Sequence, residues 1–208
     1  MSKLMNIVIG LVIIGILAGG GYLGYLYIRP PETKSALDLD LESWQQKVDQ
    51  NPGNALYRAN LGVTLIQKGQ FGKAIQELQA ALNIEPGAFT YQDSLGDAYR
   101  LDGQPDKALD QYKQALAKFP QGNKYSTAYK IADILFNDKH DLNGAANYVQ
   151  QSIADNGNIW NSLYLYGQIL ERQGKLAQAK QEYEKAAEFN GSDPGVQAAL
   201  KRVEASKA

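Results

Sequence analysis

Residues 61–86 read LGVTLIQKGQFGKAIQELQAALNIEP, and residues 95–120 read LGDAYRLDGQPDKALDQYKQALAKFP. At a shift of 34 residues, Leu61-Gly62, Leu65, Gly69, Ala74, Leu78, Ala81 and Pro86 fall on Leu95-Gly96, Tyr99, Gly103, Ala108, Tyr112, Ala115 and Pro120. A later copy gives Tyr166-Gly167, Leu170, Gly174, Ala179, Tyr183 and Ala186. Self-similarity at one fixed period marks a repeat array, in which each unit buries its apolar face only against its neighbours. Inside each copy the apolar residues recur at helical spacing, so each unit is a pair of helices. Gly62, Gly96 and Gly167 are expected where the first helix of a pair meets the second, with Ala74, Ala108 and Ala179 facing them. Leu78, Tyr112 and Tyr183 are expected to fill the space between successive pairs. Gly69, Gly103 and Gly174 stand where a helix end needs left-handed backbone. Pro86 and Pro120 stop the second helices.

This pattern resembles the tetratricopeptide repeat family over residues 55–190, because the small residues stand at that family's positions 8, 20 and 27. The resemblance implies an all-α chain whose array is a solenoid of about four helix pairs, at 55–88, 89–122, 123–159 and 160–191. The third unit departs from the pattern. Its anchors Ala132 and Ala145 are 13 apart where the others are 12, and the step from Gly96 to Ala132 is 36. Asn156-Gly157 stands where the proline should be. Ile131, Leu135, Leu142, Ala145 and Val149 still keep a helical apolar face.

Both ends read as caps, which a stacked array needs for solubility. Residues 35–54 hold one amphipathic helix with Leu41, Trp44 and Val48 on one face, ending at Asn51-Pro52. Residues 192–208 hold a closing helix. Asp193-Pro194 supplies its N-cap and first-turn proline, and Val196, Leu200 and Val203 mark its inner face.

Residues 1–34 form a short tail, a membrane span and a linker. From Asn6 to Ile28 there are 23 residues without a charge. At about 1.5 Å per residue they span a hydrocarbon core of about 30 Å. Arg29, Pro30 and Pro31 end the run, and Tyr22, Tyr25 and Tyr27 gather at its end as interfacial anchors. The run is too long for the apolar region of a signal peptide. Lys3 on one side and Arg29 with Lys34 on the other leave the positive-inside count nearly level. The very short N-terminal tail then places the soluble part outside the cytoplasm, in a periplasm or at the cell surface, on a single-pass anchor. Gly15 with Gly19 and Gly20 with Gly24 are small-xxx-small pairs, which let a second helix approach closely in the membrane.

Composition narrows the chemistry. With 21 basic and 22 acidic residues there is no basic surplus to point to nucleic acid. Absent cysteine rules out disulfides and thiolate ligands, and the single histidine, His140, excludes a two-imidazole metal site. Asp93 and Asp97 lie one helical turn apart, a spacing that acid–base chemistry can use, but solvated groove carboxylates are the commoner case. Asp138, His140, Asp141 and Asn143 do not follow the spacing of a calcium loop and read as a polar turn. The sequence predicts no enzyme activity, no cofactor and no metal.

Function is expected on the concave wall. In the resembled family, positions 2, 5, 9, 12 and 13 of each first helix face a groove that takes partner segments. Carried over, these are Leu56, Ala59, Val63 and Ile66; then Thr90, Asp93, Asp97 and Arg100; then Tyr129, Asp133 and Phe136; then Asn161, Tyr164, Gln168 and Arg172. Ala59 and Val63 stand where the carboxylate-clamp members carry Lys and Asn, which argues against a chaperone-tail receptor. The expected partner is a protein, presenting an amphipathic helix or an extended segment. The implied role is a membrane-anchored scaffold. An N-terminal span followed by Leu41 to Pro86 is also similar to the apocytochrome-binding subunits of bacterial cytochrome c maturation. A third reading is a permanent subunit of a membrane complex, held by its glycine-rich span.

Overall fold

The computed structural model describes residues 34–118, 124–155 and 160–206. These residues form helices and no strand: α1 (Ala36–Gln50), α2 (Ala55–Gln67), α3 (Phe71–Ile84), α4 (Phe89–Leu101), α5 (Pro105–Lys118), α6 (Lys124–Asn137), α7 (Leu142–Asp155), α8 (Trp160–Arg172), α9 (Leu176–Asn190) and α10 (Pro194–Ala205). The chain divides into two units, Met1–Leu39 and Asp40–Ala208. In the first, Ser35 starts α1 by a reciprocal cap. Its hydroxyl accepts the Asp38 N–H at 3.2 Å, and the Asp38 carboxylate accepts the Ser35 N–H at 3.1 Å. The expected span at residues 6–28, its glycines Gly15, Gly19, Gly20 and Gly24, and also Pro120 and Asn156-Gly157 lie outside the described residues. Among the described residues no helix is long and apolar enough to cross a membrane.

In the second unit, α2–α3, α4–α5, α6–α7 and α8–α9 are helix pairs. Each second helix packs on its own first helix and on the next first helix, and α9 packs on α10. The close approaches are made by the glycines. A Cβ on Gly96 would lie 2.4 Å from Tyr112 Cε1, and one on Gly167 would lie 2.4 Å from Tyr183 Cε1. At Gly62 the neighbour is Leu78 Cγ, at 2.7 Å. Tyr112, Tyr183 and Leu78 are fully buried. This amends the expectation for these three side chains: each lies over the glycine of its own pair. Gly69, Gly103 and Gly174 take φ of +71°, +74° and +77°, closing the turn inside their pairs.

The irregular third pair has a local explanation. The turns after α2, α4 and α8 use three residues, whereas 138–141 after α6 use four. The left-handed position falls on His140, at φ +56°. Asp141 then accepts the Gly144 N–H at 2.9 Å and starts α7. The extra residue is thus absorbed in the turn, while Ile131, Ala132, Ala145 and Val149 stay fully buried.

At the ends, Val48 is the buried residue of α1, with Leu41 and Trp44 packed on the core. The Trp44 and Tyr57 ring centroids are 6.2 Å apart. At α10, Asp193 accepts the N–H groups of Gly195 and Val196 at 2.9 and 3.0 Å, Pro194 opens the helix, and Val196, Ala199 and Val203 are buried.

Candidate functional site

First helices of neighbouring pairs touch one another at α2–α4 and α6–α8, and among the described residues no pair of second helices approaches as closely. The first helices are therefore the inner wall of the stack. Two hollows open on it. One, of about 680 Å³, is lined by Val63, Ile66 and Gln67 of α2, Ser94, Asp97, Arg100 and Leu101 of α4, and Lys130 of α6. The other, of about 470 Å³, is lined by Phe136 and Asn137 of α6, Gln168, Glu171 and Arg172 of α8, and Arg202 of α10.

The first hollow is apolar on its α2 side. Val63 there is 37% exposed, and Leu101, which lines the hollow from α4, is 54% exposed, a large apolar content for a wall facing water. Its α4–α6 side is a charge network. Lys130 Nζ donates to Asp93 Oδ2 at 2.7 Å and to Asp97 Oδ2 at 2.8 Å. Thr127 donates its hydroxyl to the other Asp93 oxygen at 2.8 Å, and Tyr112 donates its own to Asp97 Oδ1 at 2.6 Å. Arg100 pairs with Asp133, whose second oxygen accepts from the Asn137 amide at 2.7 Å. Burial acts to lower the Lys130 pKa, but the charges of Asp93 and Asp97 outweigh it and hold the ammonium above its usual range. Burial, then the Asp97 charge, pushes the Tyr112 hydroxyl far above the ordinary phenol range. Asp93, Asp97, Arg100 and Asp133 are thus brought together, and what they do in the resting chain is fasten the second pair to the third. Paired carboxylates tied to an ammonium and to two hydroxyl donors are not poised for proton transfer.

Not every expected residue reaches the groove. Ala59 is 4% exposed and joins the core with Val48, Ala55 and Leu61. Phe136, also 4% exposed, is part of that core, and its outer face carries the Arg172 guanidinium 4.3 Å from the ring centroid. Tyr164 leans on Tyr183, with ring centroids 5.7 Å apart, and its hydroxyl sits 3.0 Å from where a Cβ on Gly195 would lie, so it seats the closing helix. Tyr129 is half-buried against the core. Leu56, Val63, Ile66, Asp97, Arg100, Gln168 and Arg172 remain as wall residues open to a ligand. Among the described residues no group of three or more His, Asp or Glu side chains gathers in metal-binding fashion.

Comparison with known families agrees with this geometry. Residues 55–87 and 161–193 match one tetratricopeptide repeat model, and residues 94–122 match a second. Together the matched segments cover less than half of the chain. The third pair, with its four-residue turn, lies outside these matches. A comparison with curated proteins gives no match. Among solved structures, the array is similar to YrrB, described as a TPR protein with an unusual peptide-binding site. The TM-score is 0.67 at 18% identity, covering 80% of this chain and 84% of that one. It is similar to MamA from Desulfovibrio magneticus, with a TM-score of 0.67 at 16% identity over 74% of this chain and 85% of that one. A third is the C-terminal part of a TPR repeat-containing protein from Cytophaga hutchinsonii, with a TM-score of 0.69 at 15% identity over 80% and 65% of the two chains. At these identities the likeness is one of fold.

In the array of helix pairs, sequence reasoning missed Lys130, the residue that organises the wall. Its partners lie 37 and 33 residues back and on a different helix, across the unit whose register is shifted. It also missed Arg202, which lies on the closing helix and binds Glu171 through two N–H groups at 2.6 and 2.8 Å. That pair, helped by the Tyr183 hydroxyl at 2.7 Å, fastens α10 to the last repeat.

Proposed function

We propose that the chain is a membrane-anchored scaffold that holds a segment of a partner protein along the inner wall of its repeats. The observation that carries this is the α2–α4 hollow, where Val63, Ile66 and Leu101 present apolar surface beside fixed charges. Burying that surface under apolar side chains of a partner supplies affinity at about 25 cal/mol per Å². The self-paired charges supply orientation more than strength. An amphipathic helix or an extended segment fits such a wall, and the peptide site named for YrrB supports the class of ligand. An unfolded cytochrome segment is one such partner. The apolar run at residues 6–28 is the anchor, with the array outside the cytoplasm, and the glycine pairs in the run offer a second contact within the membrane.

Two measurements test this. Partner recovery by crosslinking from native membranes is expected to fall at least tenfold in Val63→Asp, with the helical content of the chain unchanged. Recovery lost only when Gly15 and Gly19 become leucine would instead make the chain a fixed subunit held by its span. Because the chain has no cysteine, Gln46→Cys gives a single thiol on the exposed side of α1. Labelling of intact cells by a membrane-impermeant maleimide is expected. Labelling only after lysis would place the array in the cytoplasm.

A further inference from the structure

The two hollows of the wall differ in their free charge. In the α2–α4 hollow, Arg100 and Lys130 are each held by carboxylates. In the second hollow, Arg202 is neutralised by Glu171. Arg172 is different. It is exposed, and it has no carboxylate partner among the described residues. Its contact is the face of Phe136, at 4.3 Å from the ring centroid. A guanidinium carries all five of its N–H donors in its own plane. A guanidinium centred over a ring face forms no carboxylate pair there, and its N–H donors are left for another partner. Phe136 is buried in the core, so the ring beneath Arg172 is held by the fold.

We infer that Arg172 is a recognition site for the carboxylate of an Asp or Glu side chain in the bound partner segment. The planar fork matches a carboxylate with two parallel N–H···O bonds. Gln168, which lines the same hollow, offers an amide donor beside it. The charges lining the hollow are Arg172, Arg202 and Glu171, a net of +1. That balance suits a monoanion. The Glu171 carboxylate in the same lining opposes a phosphate dianion. Together with the apolar hollow two pairs earlier, this gives the occupant a direction: apolar side chains over Val63 and Leu101, and an acidic group toward α8.

This rests on the groove reading above, and the test separates the two. A displayed library of random twelve-residue peptides is selected against the full chain in detergent micelles. Enriched peptides are then measured by fluorescence anisotropy on the wild type, Arg172→Gln, Arg172→Lys and Val63→Asp. The expected result is peptides with apolar residues followed by Asp or Glu. Their affinity should drop roughly tenfold or more in Arg172→Gln and less in Arg172→Lys, since a charged hydrogen bond is lost outright in one and reshaped in the other. The same peptides with Asp or Glu replaced by the amide should lose affinity for the wild type and no further affinity for Arg172→Gln. Peptides weakened by Val63→Asp but indifferent to Arg172→Gln would overturn the carboxylate site and keep the groove. No enrichment, or enrichment blind to both substitutions, would overturn the groove as well.

Discussion

Removing Lys130 tests whether the wall charges hold the stack together. Lys130→Met keeps the methylenes that lie along Tyr112, whose ring centroid is 5.3 Å from Nζ, and deletes the charge that bridges Asp93 and Asp97. At an effective dielectric of 20, each contact is worth about 6 kcal/mol of gross attraction. Most of that is offset by desolvation. Exposed pairs net about 0–1 kcal/mol, and breaking a buried pair costs about 3–5 kcal/mol. The Lys130 and Asp93 side chains are 22% and 19% exposed and Asp97 is 36% exposed, between those limits. Asp93 keeps the Thr127 hydroxyl and Asp97 keeps the Tyr112 hydroxyl, so neither carboxylate is stranded. The expected loss is about 2 kcal/mol, or roughly 4–8 °C in Tm for an array of this size. In a one-dimensional array the loss falls on one nearest-neighbour junction. Calorimetry should therefore show the variant's transition broaden or split between the second and third pairs. Adding Asp93→Asn should recover part of the loss by relieving the carboxylate repulsion. A Tm within 1 °C of the wild type, or a single sharpened transition, would refute the assignment of this network as the junction.

Three further outcomes follow from the packing. Gly96→Ala gains about 1 kcal/mol of helix propensity but drives a Cβ into a buried ring held by Asp97, so urea unfolding should show a net loss of about 1–2 kcal/mol. Gly62→Ala meets the aliphatic Leu78 and should lose less. Stability should fall as pH rises above about 10, because Tyr112, Tyr183 and Lys130 all have folded pKa values raised above their unfolded ones. Each contribution is complete below the unfolded pKa and is lost as pH climbs toward the folded value, at up to about 1.4 kcal/mol per pH unit and group. Tyr112→Phe should flatten that slope in an alkaline denaturation series. His140→Gly relieves a left-handed backbone carried by a non-glycine residue and should leave the chain about 0.5–1 kcal/mol more stable by the same unfolding assay.

The helix pairs were legible because the residues that make them are dictated locally. Only glycine lets Tyr112 lie on Gly96, and only a left-handed residue closes the turn at Gly69. Asp193-Pro194 declares its helix start by capping chemistry alone. The extra residue of the third unit was countable in the sequence, but not its placement in the turn, because histidine gives no sign of a left-handed position. The wall was legible as positions and opaque as chemistry. Side chains from neighbouring helices decide which groove charges are spent, and Lys130 and Arg202 both come from other helices than the carboxylates they meet. Ala59 fell on a groove position by register, yet the core covers it, and Phe136 reaches the second hollow only as the buried ring beneath Arg172.

Each junction of the stack has its own polar tie, and the ties decide what is left for a partner. Gln79 donates to the Tyr99 hydroxyl at 2.7 Å between the first and second pairs, and Lys130 spans the second and third. The buried Ser152 and Ser162 hydroxyls meet at 2.8 Å between the third and fourth, and Glu171–Arg202 holds the closing helix. Two of these four ties are ionic, and both lie on the inner wall, where their charges would otherwise face a ligand. A charge engaged in a partly buried pair offers a newcomer little, since the newcomer must compete with a partner already in place. Under the proposed function, recognition falls to groups that the junctions do not use: the apolar Val63 and Leu101 at one end of the wall, and Arg172 at the other. A partner that disrupted the Lys130 network to bind would weaken the stack as it docked. One that uses the spare groups leaves every junction intact, which is what the proposed scaffold role requires.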